Sequence, residues 1–347
     1  MKAAVMTEYD GALPLEDVPD PVCPADGVIV QVMACGVCRS DHHAWKGEDP
    51  DVRLPHVMGH ELAGEVVEVG RDCRRFAKGD RVTAPFILGC GACPTCLGDD
   101  PTCCDTQDVI GFTHWGAFAE FICIRRADFN LVPLPDQVDY TSAAGMGCRV
   151  TTAFKAVVDR GAVRPGEWMV VHGCGGVGLS AVMIGAAAGA RVLAVDVNPE
   201  ALELSRSFGA SDTLLAEGDV GEAVRDMTGG GAHVSIEALG LNVTFQNSLK
   251  SLRKLGRHVQ IGMPTGEHTT PSLPLLDLVY ARQLTLHGTR GISPNRFAAL
   301  FEMIASERLN PAQLVTQTIP LSGVETALRG MDCFQGAGVT VVDRLNC

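Results

Sequence analysis

The stretch Cys35-Gly-Val-Cys38-Arg39-Ser40-Asp41-His42-His43 gathers two thiols, a hydroxyl, a carboxylate and two imidazoles. Such groups can hold zinc, exchange electrons through a C-x-x-C pair, or pass protons between hydroxyl and imidazole. The spacing alone does not choose among a zinc half-site, a redox pair and two unrelated core cysteines. A second cluster, Cys90-Gly-Ala-Cys93-Pro-Thr-Cys96 followed by Cys103-Cys104, needs no distant partner. Four thiolates around one tetrahedral zinc leave no open position, which makes a structural site. Spacing leaves the choice between Cys103 and Cys104 open.

A third set is dispersed: Cys38, Gly59-His60-Glu61, and Gly147-Cys148-Arg149. Two thiolates and a neutral imidazole leave one coordination position free, the pattern of a catalytic zinc. Spacing does not pair these residues by itself.

His172-Gly-Cys-Gly-Gly-Val-Gly178 contains G-x-G-x-x-G at Gly173, Gly175 and Gly178, directly after a strand and at the start of a helix. The glycines allow a tight turn, close backbone approach to a pyrophosphate, and close helix–strand packing. Gly176, Val177 and Gly178 open that helix, whose free N–H groups face the phosphates. Asp196 ends the next strand at the interval expected for the acid that binds the ribose hydroxyls. No Lys or Arg follows it before Arg206, so NAD is expected rather than NADP.

The elements that must position these groups fall into two patterns. Ala3–Met6, Val28–Ala34, Leu62–Val69 and Ala117–Ile124 read as strands parted by Gly/Pro/Asp turns, a small irregular barrel. From about Thr151, six strand-like segments follow: 169–171, 192–195, 213–215, 234–236, 258–261 and 284–286. Helical stretches such as 176–188 and 199–208 separate nearly all of them. Asn198 and Pro199 form a cap and first turn for the second of these helices. Such alternation predicts a parallel, doubly wound sheet. A helix at 296–305 and a strand at 339–342 follow, and 347 residues suit two domains.

Fourteen cysteines in a chain whose opening is interrupted by Glu8, Asp10, Glu16 and Asp17 favour metal ligation over disulfides. A soluble, cytoplasmic protein is expected, with no membrane partner, since the longest weakly polar run, 177–190, is too short to span a bilayer. The net charge of -13 argues against nucleic acid and anionic membranes.

Together these motifs resemble the zinc-dependent alcohol dehydrogenases of the medium-chain dehydrogenase/reductase superfamily, over nearly the whole chain. The family's zinc signature runs from Gly59-His60-Glu61 through Gly64 and Gly70 to Cys73. Its four-cysteine lobe falls on Cys90, Cys93, Cys96 and Cys104, and its third catalytic-zinc ligand on Cys148 beside Cys38 and His60. The resemblance implies two zinc ions per chain. It also implies a GroES-like catalytic domain (residues 1–149, zinc lobe about 89–105, and 290–347) interrupted by a Rossmann NAD-binding domain (150–289), with the catalytic zinc in the cleft between them.

By the same resemblance, Ser40 accepts the alcohol proton and passes it through the cofactor ribose to His43. Asp41 and Glu61 support the zinc ligands, and Arg39 contacts the pyrophosphate. Thr152, Val177 and Ile261 lie toward the nicotinamide. Trp45, Trp115 and Met146 are candidate walls of the substrate cleft, His42 is expected to be exposed, and Cys35 to pack beside the site. Ala201 stands in a stretch where many relatives carry a basic residue. The expected activity is reversible oxidation of an alcohol to an aldehyde or ketone by a homo-oligomer, tetramer or dimer. A polyol or amino-alcohol dehydrogenase and a non-catalytic NAD-binding protein are the alternatives.

Overall fold

Val28–Val37 places β-branched or small residues at nearly every step, and its strand is buried except at Gln31 and Met33. In the computed structural model, which describes residues 1–98, 100–333 and 338–345, it is the third strand. Asp99 of the expected lobe, and residues 334–337, 346 and 347 of the closing segment, lie outside the described residues.

The first strands are Lys2–Ala4 (β1), Leu15–Asp17 (β2), Val28–Val37 (β3), Glu61–Val69 (β4), Arg81–Thr83 (β5), Ile87–Leu88 (β6), Asp108–Val109 (β7), Phe121–Ile124 (β8) and Val132–Pro133 (β9). Next come Trp168–His172 (β10), Arg191–Asp196 (β11), Asp212–Leu215 (β12), Ala232–Glu237 (β13), Leu252–Gln260 (β14) and Thr285–Gly288 (β15). Val315–Pro320 (β16) and Val339–Arg344 (β17) close the chain.

The chain divides into two compact units, Met1–Thr151 with Gly291–Cys347, and Thr152–Arg290. In the first, the main sheet runs β16-β17-β3-β4-β5-β9, and β8 also pairs with β3. The antiparallel register Gly36↔Glu61 sets the end of β3 beside the start of β4. Cys38, one residue past β3, and His60, one residue before β4, are therefore brought to the same end of the sheet.

A helix over Tyr140–Phe154, not foreseen in the sequence, breaks at Gly147 (φ 13°, ψ −126°). A Cβ at Gly147 would lie 2.3 Å from Glu61 Cβ. Only glycine lets this kink close on the sheet and deliver Cys148.

The second unit is a six-stranded parallel sheet in the order β12-β11-β10-β13-β14-β15, the expected doubly wound fold. Its order reverses between β10 and β13, the switch point at which such sheets bind ligands. The helix Pro199–Ser207 starts as expected, with the Asn198 side chain accepting from Glu200 N–H.

Several boundaries move. The expected 117–124 strand shortens to β8 because Ala117 and Phe118 give their N–H groups to Gly59 and Met58. β1 ends at Ala4, with Met6 reduced to an isolated bridge to His56. β14 is longer than its predicted core and stops at Gln260, leaving Ile261 beyond its end, and β15 starts one residue late. Among the described residues, no helix is long and apolar enough to cross a membrane.

Candidate active site

Cys38, His60, Glu61 and Cys148 each place one ligand atom so that all four lie within 4.8 Å of one another. Cys38 caps the helix Arg39–Trp45, and Asp41 in its first turn accepts the Cys38 N–H through Oδ2 (2.8 Å). The other oxygen of Asp41 is shared by Gly59 N–H (3.1 Å) and the His60 ring at Nδ1 (2.9 Å). One buried carboxylate thus ties the Cys38 turn to the His60 turn.

With Nδ1 engaged, His60 Nε2 is buried and has no hydrogen-bond partner among the described residues. A buried imidazole nitrogen left bare beside two thiols costs free energy unless something binds it. Two sulfurs and one neutral imidazole suit zinc, whose thiolate and imidazole ligands these are. The rings of Phe86 and Phe112 pack against His60, with centroids 5.7 and 5.2 Å away, and keep water from that side.

Glu61 and Arg149 complete the cluster's charges. Glu61 lies in a slot between Gly36 and Gly147, where a Cβ would sit 2.1 Å from Glu61 Oε2 and 2.3 Å from its Cβ, respectively. Oε1 accepts the Cys148 N–H (2.8 Å), and Oε2 forms a 3.0 Å ion pair with Arg149 Nη1. Arg149 also donates to Val37 O, anchoring its guanidinium to the end of β3.

Burial pushes the Glu61 carboxyl up to about 7, with Arg149 opposing the rise. The Cys148 thiol, hydrogen-bonded to Cys38, holds Cys38 well below the ordinary thiol range, helped by the Arg149 charge. The Cys38 thiolate this favours is a ready ligand for a cation.

Ser40 and His43 sit one turn apart on the helix that Cys38 caps. Ser40 Oγ is 3.8 Å from Cys38 Sγ. His43 Nδ1 meets Glu48 Oε2 at 2.5 Å, a partner the sequence did not signal. Arg39, on the same helix, is half-buried.

Cys90, Cys93, Cys96 and Cys104 form the second group of sulfurs within 4.8 Å, in which Cys90 and Cys96 approach to 3.9 Å and Cys93 and Cys104 to 3.8 Å. Cys103 is exposed and stands outside it. The Thr95 hydroxyl, 3.0 Å away, holds the Cys93 thiol down to about 6. Four thiols with no bare position suit a structural zinc.

In the second unit, Gly173 has φ +95°, and a Cβ at Gly178 would lie 1.7 Å from Gly173 O. The turn cannot carry side chains there. At Gly175 a Cβ would meet nothing within 4 Å, so open space faces the helix start at Gly176 and Val177. Asp196 accepts Cys174 N–H through Oδ2 (2.6 Å) and Asn198 N–H through Oδ1 (2.8 Å). The acid expected to bind the ribose therefore also braces the glycine turn, and the cradle fits a dinucleotide. Thr152 is buried in its helix, and Ile261 donates its N–H to Glu237 O (2.9 Å).

Residues 24–136 match the alcohol dehydrogenase GroES-like domain, and residues 176–306 match the zinc-binding dehydrogenase family. An alcohol dehydrogenase of Geobacillus stearothermophilus is 35% identical over 274 residues, 78% of this chain and 80% of that one. The chain belongs to the zinc-dependent alcohol dehydrogenases. They form part of the medium-chain dehydrogenase/reductase superfamily. The NAD-dependent alcohol dehydrogenase of Sulfurisphaera tokodaii is 29% identical over 99% of both chains. A solved NAD-dependent alcohol dehydrogenase superposes with a TM-score of 0.89 at 30% identity, again over 99% of both. The activity of this alcohol dehydrogenase is zinc-dependent oxidation of an alcohol with NAD.

Two expectations need correction, the exposed His42 and the pair Trp45 and Met146 as cleft walls. His42 is buried, its Nε2 2.8 Å from Asp332 Oδ1, because the helix Arg39–Trp45 turns that face inward. Trp45 is fully buried in the core, with Nε1 donating to Gly11 O (2.8 Å), and Met146 is buried too; neither walls a cleft. Orienting His60 falls to Asp41, while Glu61 serves Cys148 and Arg149. Cys35 is fully buried beside the site, as expected.

Trp115 lines a pocket of about 430 Å³, with Asp51, Arg53, His56, Phe112 and His114 among its other walls. Phe112 separates this pocket from the His60 ring.

Proposed function

We propose that this dehydrogenase holds two zinc ions per chain, one at Cys38, His60 and Cys148 and one at Cys90, Cys93, Cys96 and Cys104. The observation that carries this reading is the bare, buried Nε2 of His60 between two thiols, with its Nδ1 taken by Asp41. Bound zinc and NAD supply, respectively, a Lewis acid that eases loss of the hydroxyl proton and a hydride acceptor.

The chain's own residues do the rest. Asp41 fixes the His60 ring so that Nε2 faces the sulfurs. Phe86 and Phe112 shield that face from water. Ser40 Oγ, a hydroxyl able both to accept and to donate, takes the alcohol's proton, and half-exposed His43 releases it toward solvent. Glu48 steadies the His43 ring. Arg39 serves the pyrophosphate, while Thr152, Val177 and Ile261 serve the nicotinamide. Asp196 selects NAD by accepting from ribose hydroxyls and repelling a 2′-phosphate.

The protein works as a homo-oligomer, tetramer or dimer, in the cytoplasm. Support comes from the open edge of β15, where Leu286 is partly exposed, and from exposed Leu275, Leu276 and Tyr280 in the turn before it. An apolar face of this kind seeks a partner.

The test is a rate screen of primary, secondary, aromatic and polyol alcohols with NAD and NADP. Saturable NADH formation from simple alcohols supports the reading; a preference for NADP, or turnover of polyols alone, contradicts it.

A further inference from the structure

Glu237, the last residue of β13, is fully buried. Among the described residues its carboxylate meets hydrogen-bond donors only. Oε1 accepts from Leu239 N–H (3.0 Å), Gly240 N–H (3.0 Å) and the Thr244 hydroxyl (2.6 Å). Oε2 accepts from Gly240 N–H (2.9 Å) and the Gln260 amide, which also donates to Gly262 O (2.8 Å). The backbone oxygen of Glu237 takes the N–H groups of Ile261 and Gly262, both at 2.9 Å.

One residue thus holds the turn after β13 and the turn after β14. These turns interlock closely. A Cβ at Gly262 would lie 2.2 Å from Gly240 N and 2.6 Å from Glu237 Oε2. A Cβ at Gly173 would lie 2.5 Å from Leu239 Cγ, so the phosphate-binding turn packs on the same assembly.

The location gives the assembly its use. Asp196, ending β11, marks the adenosine half of the crevice, and the glycine turn after β10 marks the pyrophosphate. The other mononucleotide half of a doubly wound sheet lies over the strands beyond the switch point, here β13 and β14. Leu239 and Met263 stand on these turns with 43% and 47% of their surface exposed, apolar faces against which a flat ring can lie.

We propose that Glu237 is a positioning residue for the nicotinamide half of the cofactor, its carboxylate setting the Leu239–Gly240 and Ile261–Gly262 turns against the ring. This rests on the NAD reading above. A carboxylate suits the place because it only accepts; a glutamine would set its own NH2 against one side of this donor cluster, facing either the Leu239 N–H or the Gln260 amide.

The test compares NADH with ADP-ribose, which lacks the nicotinamide, as ligands of the full-length protein. In titrations, Glu237→Gln weakens NADH binding by about tenfold, as expected when buried donors lose their acceptor. ADP-ribose affinity falls by no more than about twofold, because its adenosine and pyrophosphate are held at Asp196 and the glycine turn, whose hydrogen bonds do not involve the Glu237 carboxylate. The fluorescence enhancement of bound NADH falls as well, which a general loss of stability would not produce.

Thr244→Val removes one donor without disturbing the fold and gives the same selectivity with a smaller loss. If Glu237→Gln fails to fold, this variant decides the matter. Equal losses for both ligands, or none for either, overturn the proposal. A parent protein that binds neither ligand defeats the NAD reading itself, and the proposal with it.

Discussion

Asp41 Oδ1 lies 2.9 Å from His60 Nδ1, with both side chains buried. The same carboxylate accepts the N–H groups of Cys38 and Gly59, so the turns that carry Cys38 and His60 are cross-braced through one side chain. We predict that Asp41→Asn, which turns an NH2 toward one of these donors, lowers zinc affinity at this site by roughly 10–100-fold. Competition with a chelator measures it. Unchanged affinity would mean that His60 needs no brace.

The lobe cysteines separate cleanly. Cys104→Ser is expected to lose about one zinc per chain and lower Tm, while Cys103→Ser, at an exposed sulfur outside the cluster, keeps the full complement. Metal analysis of the two purified variants is sufficient. Equal zinc content in both would remove Cys104 from the ligand set.

Asp196 braces the glycine turn and is proposed to bind the ribose, so Asp196→Ala is predicted to show two effects. Losing the ribose acceptor and the brace on Cys174 N–H raises KM for NAD. Losing the negative charge raises the relative rate with NADP by about tenfold or more. Parallel kinetics with both cofactors check this, and a parent that already prefers NADP would refute the assignment.

Acid should unfold the protein through two buried histidines of the second unit. Burial holds His172 down to about 3 and His258 down to about 4. Both folded values lie below the unfolded value near 6.5, so the unfolded chain binds more protons from about pH 6.5 down to about 4 at His258 and about 3 at His172. Stability is therefore full above that window and falls as pH drops through it, by ~3 kcal/mol per histidine at pH 4. Urea midpoints across the window test this, and His258→Gln should flatten the slope. A slope confined to below pH 4 would contradict it.

The sequence made the sites legible to unequal depth. The lobe ligands lie close enough along the chain for spacing to group them. Cys38, His60 and Cys148 come from a strand end, a strand start and a kinked helix, so only the family resemblance paired them. The parallel sheet showed in alternating strand and helix patterns because each crossover is local. Contacts made by register stayed hidden: Glu61 in its slot beside Gly36, Arg149 on Val37 O, and His42 against Asp332. Trp45 misled because an aromatic near a site resembles a cleft wall, whereas its ring is core and its indole N–H is satisfied by Gly11 O. The Glu237 assembly had no sequence signal, since its donors are mostly backbone N–H groups.

Cys38, His60 and Cys148 are proposed to hold the zinc on which alcohol oxidation depends. The most direct measurement is zinc content alongside alcohol-dependent NADH formation in Cys38→Ala, with circular dichroism as the check on folding. Cys38→Ala is expected to stay folded, fall from about two zinc ions per chain to one, retain NADH binding and lose turnover. A folded variant that keeps both zinc ions and oxidises alcohol at the parent rate would contradict that assignment.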